Sequence, residues 1–139
     1  MKVKLDLRSI QYMNLFERIT HVKAKYCFDY NTNIIFIVPR FLMNRALGER
    51  ARNIQKLEQQ MHRKVRIIAN PQGIDDAGRF VRAIIFPHEF KNIVIENNEM
   101  YIFIAQRTKA AIIGRNKTRL GELSDILDKF FGIKKVIIK

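Results

Sequence analysis

The residues with the clearest functional potential in this sequence are basic residues clustered around a glycine. Residues 109–120 read KAAIIGRNKTRL, and Gly114 separates a short apolar run from a predicted helix. The start of a helix offers backbone N–H donors and the positive end of the helix dipole, and both attract an anion. The candidate contacts besides the glycine are Lys109, Arg115, Asn116, Lys117 and Arg119. No acidic residue lies between Lys109 and Gly121, so we expect an anion site, and the anion we expect is a nucleic-acid phosphate.

The same arrangement occurs a second time, earlier in the chain. Residues 42–57 read LMNRALGERARNIQKL, with Gly48 in the place of Gly114. Similar β-rich runs precede both glycines and follow both helices, at 34–38, 101–105, 64–69 and 135–139. The candidate contacts of the first copy are Gly48, Arg45, Arg50 and Arg52, with Glu49 as an acidic neighbour. A duplicated unit is a stronger signal than either motif alone, and we expect the second copy to bind the anion more strongly because it has no counterpart of Glu49.

The composition favours a polyanionic partner. The chain has 26 basic and 13 acidic residues in 139, which gives a net charge of +13 and an isoelectric point near 10.2. Such a charge is typical of proteins that bind nucleic acid. The longest apolar run is Ile34 to Val38 and the first residues lack the apolar core of a signal peptide, so we expect no membrane contact and a cytoplasmic location.

No arrangement of residues in the sequence indicates catalysis. Cys27 is the single cysteine, and the three histidines, His21, His62 and His88, have no metal-ligand spacing with it or with each other. Glycine-rich phosphate loops of the nucleotide-binding enzymes are absent. We therefore expect no enzyme activity, no catalytic residue, no metal and no cofactor.

Periodicity and turn residues predict the elements that position the two glycines. Helices are expected at 7–19, at 41–47, from after the Gly48 turn to about 62, and at 77–86, 106–113 and 118–131. Strands are expected at 2–5, 22–30, 34–38, 65–69, 93–97, 100–105 and 135–138. Asp6 is expected to cap the first helix and Asp75 or Asp76 the fourth. The pattern gives two units, each helix, strand, strand, helix, helix, strand. Three strands under three helices predict an α+β fold of two-layer sandwiches with three-stranded sheets.

Four stretches carry a resemblance to a known family. They are residues 12–20 (YMNLFERIT), 52–54 (RNI), 80–83 (FVRA) followed by Pro87, and 113–115 (IGR). With the order of elements, they resemble the KH domain of type II topology, whose glycine loop clamps about four nucleotides of a single strand. The tandem arrangement is similar to the KH pair of the NusA-like transcription factors, above all the short archaeal ones. The resemblance covers nearly the whole chain.

The resemblance implies two tandem KH-like domains, residues 1–70 and 74–139, that bind single-stranded RNA in transcription elongation or termination. RNA polymerase or other transcription proteins would be further partners. The implied apolar floor of the RNA groove is Ile112, Ile113, Leu120 and Ile54.

The glycine loops depart from the family pattern, which is Gly-x-x-Gly. The second glycine is replaced by Ala51 in the first copy and by Lys117 in the second. A glycine there would let the backbone approach a phosphate without a Cβ in the way. The alternative hypothesis is therefore a KH-like protein–protein adaptor, for example on RNA polymerase, with weak or lost RNA binding.

Overall fold

The chain is organised as two compact units, the first ending at Asn70 and the second beginning at Pro71. The computed structural model describes residues 6–139, so the strand predicted at 2–5 lies outside the described residues. The elements of the first unit are α1 (Leu7–Thr20), β1 (Tyr26–Tyr30), β2 (Asn33–Val38), α2 (Met43–Leu47), α3 (Arg52–Met61) and β3 (Val65–Ala69). A short 3₁₀ turn at Arg40–Leu42 precedes α2, and a tight turn at Glu49–Ala51 precedes α3.

The second unit repeats this order. Its elements are α4 (Ala77–Ile85), β4 (Asn92–Glu96), β5 (Glu99–Phe103), α5 (Gln106–Ile113), α6 (Thr118–Phe131) and β6 (Lys135–Ile138). A tight turn at Arg115–Lys117 joins α5 to α6, as Glu49–Ala51 joins α2 to α3. The predicted α+β class, with two repeated units and a three-stranded sheet in each, is confirmed.

Both sheets have the same topology. In the first unit β2 lies between β1, which is antiparallel to it, and β3, which is parallel, so that Phe36 faces Cys27 on one side and Ile67 on the other. The second sheet follows the order β4-β5-β6 with the same directions. A parallel pair needs a crossover connection. Each crossover consists of a short helix, the glycine turn and a longer helix, which is how the topology places each glycine between two helices.

Buried side chains fix the helices that flank the first glycine. Phe16 of α1 stacks on Phe36 of β2, with ring centroids 4.3 Å apart, and both are fully buried. Ala46 of α2 and Leu57 of α3 are also fully buried in this cluster. Burial of Leu57 contributes about 1.5–3 kcal/mol, and Met43 and Leu47 of α2 also pack against this cluster, so both helices are held on the sheet.

The corresponding helices of the second unit are anchored in the same way. Ile112 of α5 and Leu123 and Leu127 of α6 are buried. Phe80 of α4 contacts Phe130 of α6, with ring centroids 4.9 Å apart. The second glycine turn therefore also joins two helices that the core fixes.

Several predicted bounds and caps differ from the structure, and two of these differences have a clear local cause. The first strand begins at Tyr26 rather than Val22, because the amide of Val22 donates to the hydroxyl of Thr20 at 3.1 Å and extends the turn that ends α1. Asp76 does not cap α4 through its side chain; its carboxylate accepts from the amide of Gln72 at 3.1 Å and pairs with Arg79. Asp6 does cap α1, as predicted, by accepting from the amide of Ser9 at 2.8 Å.

Candidate nucleic-acid interface

The two glycine turns have the same backbone conformation. Gly48 has φ 74° and ψ 175°, and Gly114 has φ 76° and ψ 168°. This region of conformational space is accessible almost only to glycine. A helix begins four residues after each glycine, at Arg52 and at Thr118. The repeat seen in the sequence is therefore a repeat of the turn itself.

The left-handed conformation occurs at the two residues before each helix. Arg50 and Ala51 have φ 54° and 56°, and Asn116 and Lys117 have φ 55° and 60°. The family pattern has its second glycine at the positions of Ala51 and Lys117. Non-glycine residues thus adopt here the conformation that a glycine adopts without strain.

Each glycine also lies close to the helix that follows it. A Cβ on Gly114 would lie 2.7 Å from Cγ and 2.9 Å from the backbone N of Arg119, and a Cβ on Gly48 would lie 2.9 Å from Nδ2 of Asn53. A Cβ on Gly114 would clash with the backbone of α6, and a Cβ on Gly48 would displace the amide of Asn53, which is hydrogen-bonded to Ala46. Gly48 and Gly114 are thus required both for their φ angles and for the close approach of the helix.

The turns satisfy several of their own amides. Ala51 N–H donates to the carbonyl of Gly48, and Lys117 N–H to that of Gly114, both at 3.1 Å. The amides of Arg52 and Thr118 donate to the carbonyls three residues before them. These four donors are engaged, so the amide contribution to anion binding is smaller than a helix start with unpaired donors would give. Positive side chains must supply more of the attraction.

The first turn presents three exposed arginines and one exposed carboxylate. Arg45 lies on α2, Arg50 in the turn and Arg52 at the start of α3, and Glu49 lies beside Arg50. Behind them, the buried amide of Asn53 donates to the carbonyl of Ala46 at 3.0 Å. This hydrogen bond crosses the turn and ties the end of α2 to the start of α3.

The second turn presents Arg115, Asn116 and Lys117, all exposed, with Lys109 half-buried on α5. Arg119 is half-buried and its Nη1 donates to Oε1 of Glu122 at 2.6 Å. The expectation that this copy has no carboxylate near its basic residues is therefore wrong. Glu122 lies one helical turn after Arg119, just beyond residues 109–121, which contain no acidic residue. It neutralises one of the cations counted for this copy.

The predicted groove floor is only partly accessible. Ile112 is 1% exposed and belongs to the core. Ile113 and Leu120 are half-buried beside the second turn, and Ile54 is half-buried against the first core. The apolar surface that these residues offer to a ligand comes from Ile113, Leu120 and Ile54.

The remaining groups considered for chemistry lie elsewhere. Burial raises the pKa of the Cys27 thiol to about 12, so the group stays protonated at neutral pH. His21 and His62 end α1 and α3 in the left-handed conformation. Within residues 6–139, no three His, Cys, Asp or Glu side chains are grouped so that they could hold a metal ion. No helix in the same range is long and apolar enough to cross a membrane.

The sequence did not predict the hydrogen bond of Asn53 across the turn or the ion pair of Glu122. Glu122 could have been found, because it stands three residues after Arg119 and such pairs meet on a helix. Asn53 occupies the position that Arg119 occupies in the second copy, 66 residues later. Its role depends on the close approach across the glycine turn, which no local pattern predicts.

Comparison with known proteins gives relatives along nearly the whole chain, although no family model matches it. Three archaeal relatives are each named probable transcription termination protein NusA. The Methanococcus vannielii protein is 23% identical over 98% of this chain and 79% of its own length, and the Methanocaldococcus jannaschii protein 25% over 97% and 74%. The Halobacterium salinarum protein is 22% identical over 98% of both chains.

A solved structure supports the fold. The crystal structure of APE1850 is similar with a TM-score of 0.66 and 24% identity, covering 97% of this chain and 100% of that one. An identity this low shows the fold alone. The chain thus shares its repeated α+β fold with a solved structure and is similar over nearly its whole length to archaeal proteins named NusA.

Proposed function

We propose that this protein binds single-stranded RNA through its two glycine turns and acts in transcription elongation or termination. The observation that carries the proposal is the recurrence of one turn conformation, at the start of a helix, in both units. Around each turn the side chains are mostly cationic. An anion site suited to the phosphates of a nucleic acid forms where a glycine turn, the start of a helix and several cations come together.

The distribution of charge supports RNA as the anion. Arg45, Arg50 and Arg52 surround the first turn and Arg115 and Lys117 the second, and all five are exposed. Each lysine or arginine that contacts a phosphate releases a counterion, which supplies affinity without reading sequence. A chain with a net charge of +13 attracts such a partner at long range as well.

In this proposal the KH-like domains are residues 1–70 and 74–139. The names of the archaeal relatives support a role in transcription. RNA polymerase or another transcription protein would be the second partner, and the protein would act in the cytoplasm. Binding alone is proposed, with no catalytic step.

Two observations favour an adaptor as the second candidate. Neither turn has the second glycine of the family pattern, and Arg119 is paired with Glu122 instead of being open to a phosphate. In this alternative the same body docks on a protein such as RNA polymerase and its turns bind RNA weakly. The exposed arginines of the first turn favour RNA binding over the adaptor.

A filter-binding titration of single-stranded and duplex RNA across salt concentrations tests the proposal. The logarithm of the association constant should fall linearly with the logarithm of salt, by roughly 0.7 for each phosphate neutralised on a single strand. The single strand should bind more tightly than a duplex of the same sequence. A flat salt dependence, or a preference for duplex, would favour the adaptor.

A further inference from the structure

We propose that Phe41 is a stacking platform for an RNA base beside the first glycine turn. The proposal rests on the RNA-binding function proposed above and adds to it a contact with a base. Phe41 lies in the 3₁₀ turn Arg40–Leu42, just before α2. Its side chain is 86% exposed, the largest exposed fraction among the exposed large hydrophobic residues described.

The neighbours of Phe41 show which way this segment faces. Leu42, Met43 and Leu47 pack against the first core, and Ala46 is fully buried in it. These four residues define the inner side of the segment 42–47. Phe41 and Arg45 are exposed, so they lie on the outer side of the same segment.

The spacing places Phe41 on the side that leads to the glycine turn. Phe41 lies in the 3₁₀ turn just before α2, Arg45 lies in the middle of α2, and Gly48 directly follows the helix. With a rise of about 1.5 Å per residue in α2 and about 2 Å in the 3₁₀ turn, Phe41 lies about 10 Å from Gly48 along the axis. A strand whose phosphates contact Arg50 and Arg52 at the turn would thus pass Arg45 and reach Phe41.

The surroundings of Phe41 favour a nucleic acid over a protein. A single exposed hydrophobic residue is ordinary on a protein surface, but its neighbours on this side are Arg40, Asn44 and Arg45, all exposed. An apolar protein partner would need a continuous apolar patch. A flat ring set among cations is instead the arrangement by which proteins hold single strands, because bases stack on the ring while cations bind the phosphates.

The second unit has no counterpart of this ring. The residue that stands 66 positions after Phe41 is Arg107, which is exposed. Base stacking is therefore assigned to the first unit only. It offsets the repulsion of a phosphate by Glu49, so the first turn binds RNA in spite of its carboxylate.

Substitution of Phe41 by alanine tests this role. Loss of one base–aromatic stack should weaken binding to a single-stranded RNA of about 12 nucleotides by roughly 5- to 150-fold. Binding to heparin, a polyanion without bases, should not change. Phe86→Ala is the matched control, because Phe86 is 69% exposed and lies at the end of α4 in the second unit; it should bind RNA like the wild type.

A tryptophan at position 41 gives a direct signal, since the chain contains no tryptophan. In the Phe41→Trp variant, single-stranded RNA should quench the fluorescence and heparin should not. If Phe41→Ala binds RNA as tightly as the wild type, or loses RNA and heparin binding equally, the stacking role is wrong. The proposed function would stand in both cases. A wild-type protein that binds no single-stranded RNA would overturn both.

Discussion

Two residues carry the left-handed backbone at the end of the glycine turns without being glycine. An L-residue in this conformation costs roughly 1–2 kcal/mol. Ala51 and Lys117 nevertheless adopt nearly the same angles, although one side chain is a methyl group and the other a long cation. The fixed helices on either side and the hydrogen bond of each amide to the glycine carbonyl therefore impose the conformation.

We predict that Ala51→Gly stabilises the protein. Relief of the left-handed strain should exceed the backbone entropy that glycine loses on folding, so the free energy of unfolding should rise by about 0.5–1 kcal/mol. Urea unfolding followed by circular dichroism measures it. The contrasting substitution is Ala46→Gly, in the helix α2, where lost helix propensity should lower the free energy of unfolding by about 1 kcal/mol and loss of a fully buried methyl group lowers it further. Equal destabilisation by both substitutions would show that the turn is not strained at Ala51.

At the scale of the elements, much of the fold could be predicted from the sequence. The bounds of α6, Thr118–Phe131, agree with the prediction, because its apolar period is clear and Gly132 ends it in the left-handed conformation. The repeat in the sequence predicted that the second unit has the same order of helices and strands as the first. The start of β1 was missed because the hydroxyl of Thr20 holds Val22 in a turn, and apolar residues in a turn look like a strand.

The candidate site was predicted less completely than the fold. The glycines and exposed cations could be found from residue types and spacing. The sequence could not predict which of these cations remain open to a ligand, because this depends on the side chains that pair with them. Arg119 pairs with Glu122, whereas the position of Glu122 is occupied in the first copy by the exposed Lys56.

We therefore predict that Glu122→Gln strengthens RNA binding. The change removes a carboxylate beside the second turn and releases Arg119 for a phosphate, so the salt slope should steepen by roughly 0.7. The affinity should rise severalfold at low salt. Filter binding with single-stranded RNA measures both quantities.

The control for this prediction is Asp128→Asn. It removes the same charge from α6, but ten residues after the helix begins, where Asp128 pairs with Lys134. Its effect on the salt slope should be smaller. If both variants raise the affinity equally, net charge rather than the release of Arg119 explains the gain.

At the scale of the whole molecule, the chain has 26 basic and 13 acidic residues. RNA binding could therefore arise from general electrostatic attraction instead of from the two glycine turns. Such attraction needs no particular surface. The proposed function assigns the binding to two turns that share one conformation and present exposed arginines. The two explanations differ in what they expect when charge is reversed at the turns or elsewhere.

The most direct measurement compares the single-stranded RNA affinity of two doubly substituted variants with that of the wild type. Arg50→Asp with Arg115→Asp reverses one charge in each turn. Lys64→Asp with Lys135→Asp makes the same change in net charge on exposed residues that follow α3 and α6, about 15 Å or more along those helices from the turns. Both variants are first checked for wild-type circular dichroism. Binding through the turns predicts at least about a tenfold greater loss of affinity, and a shallower salt slope, for the turn variant than for the control. Equal losses in the two variants, or full affinity in the turn variant, would contradict it.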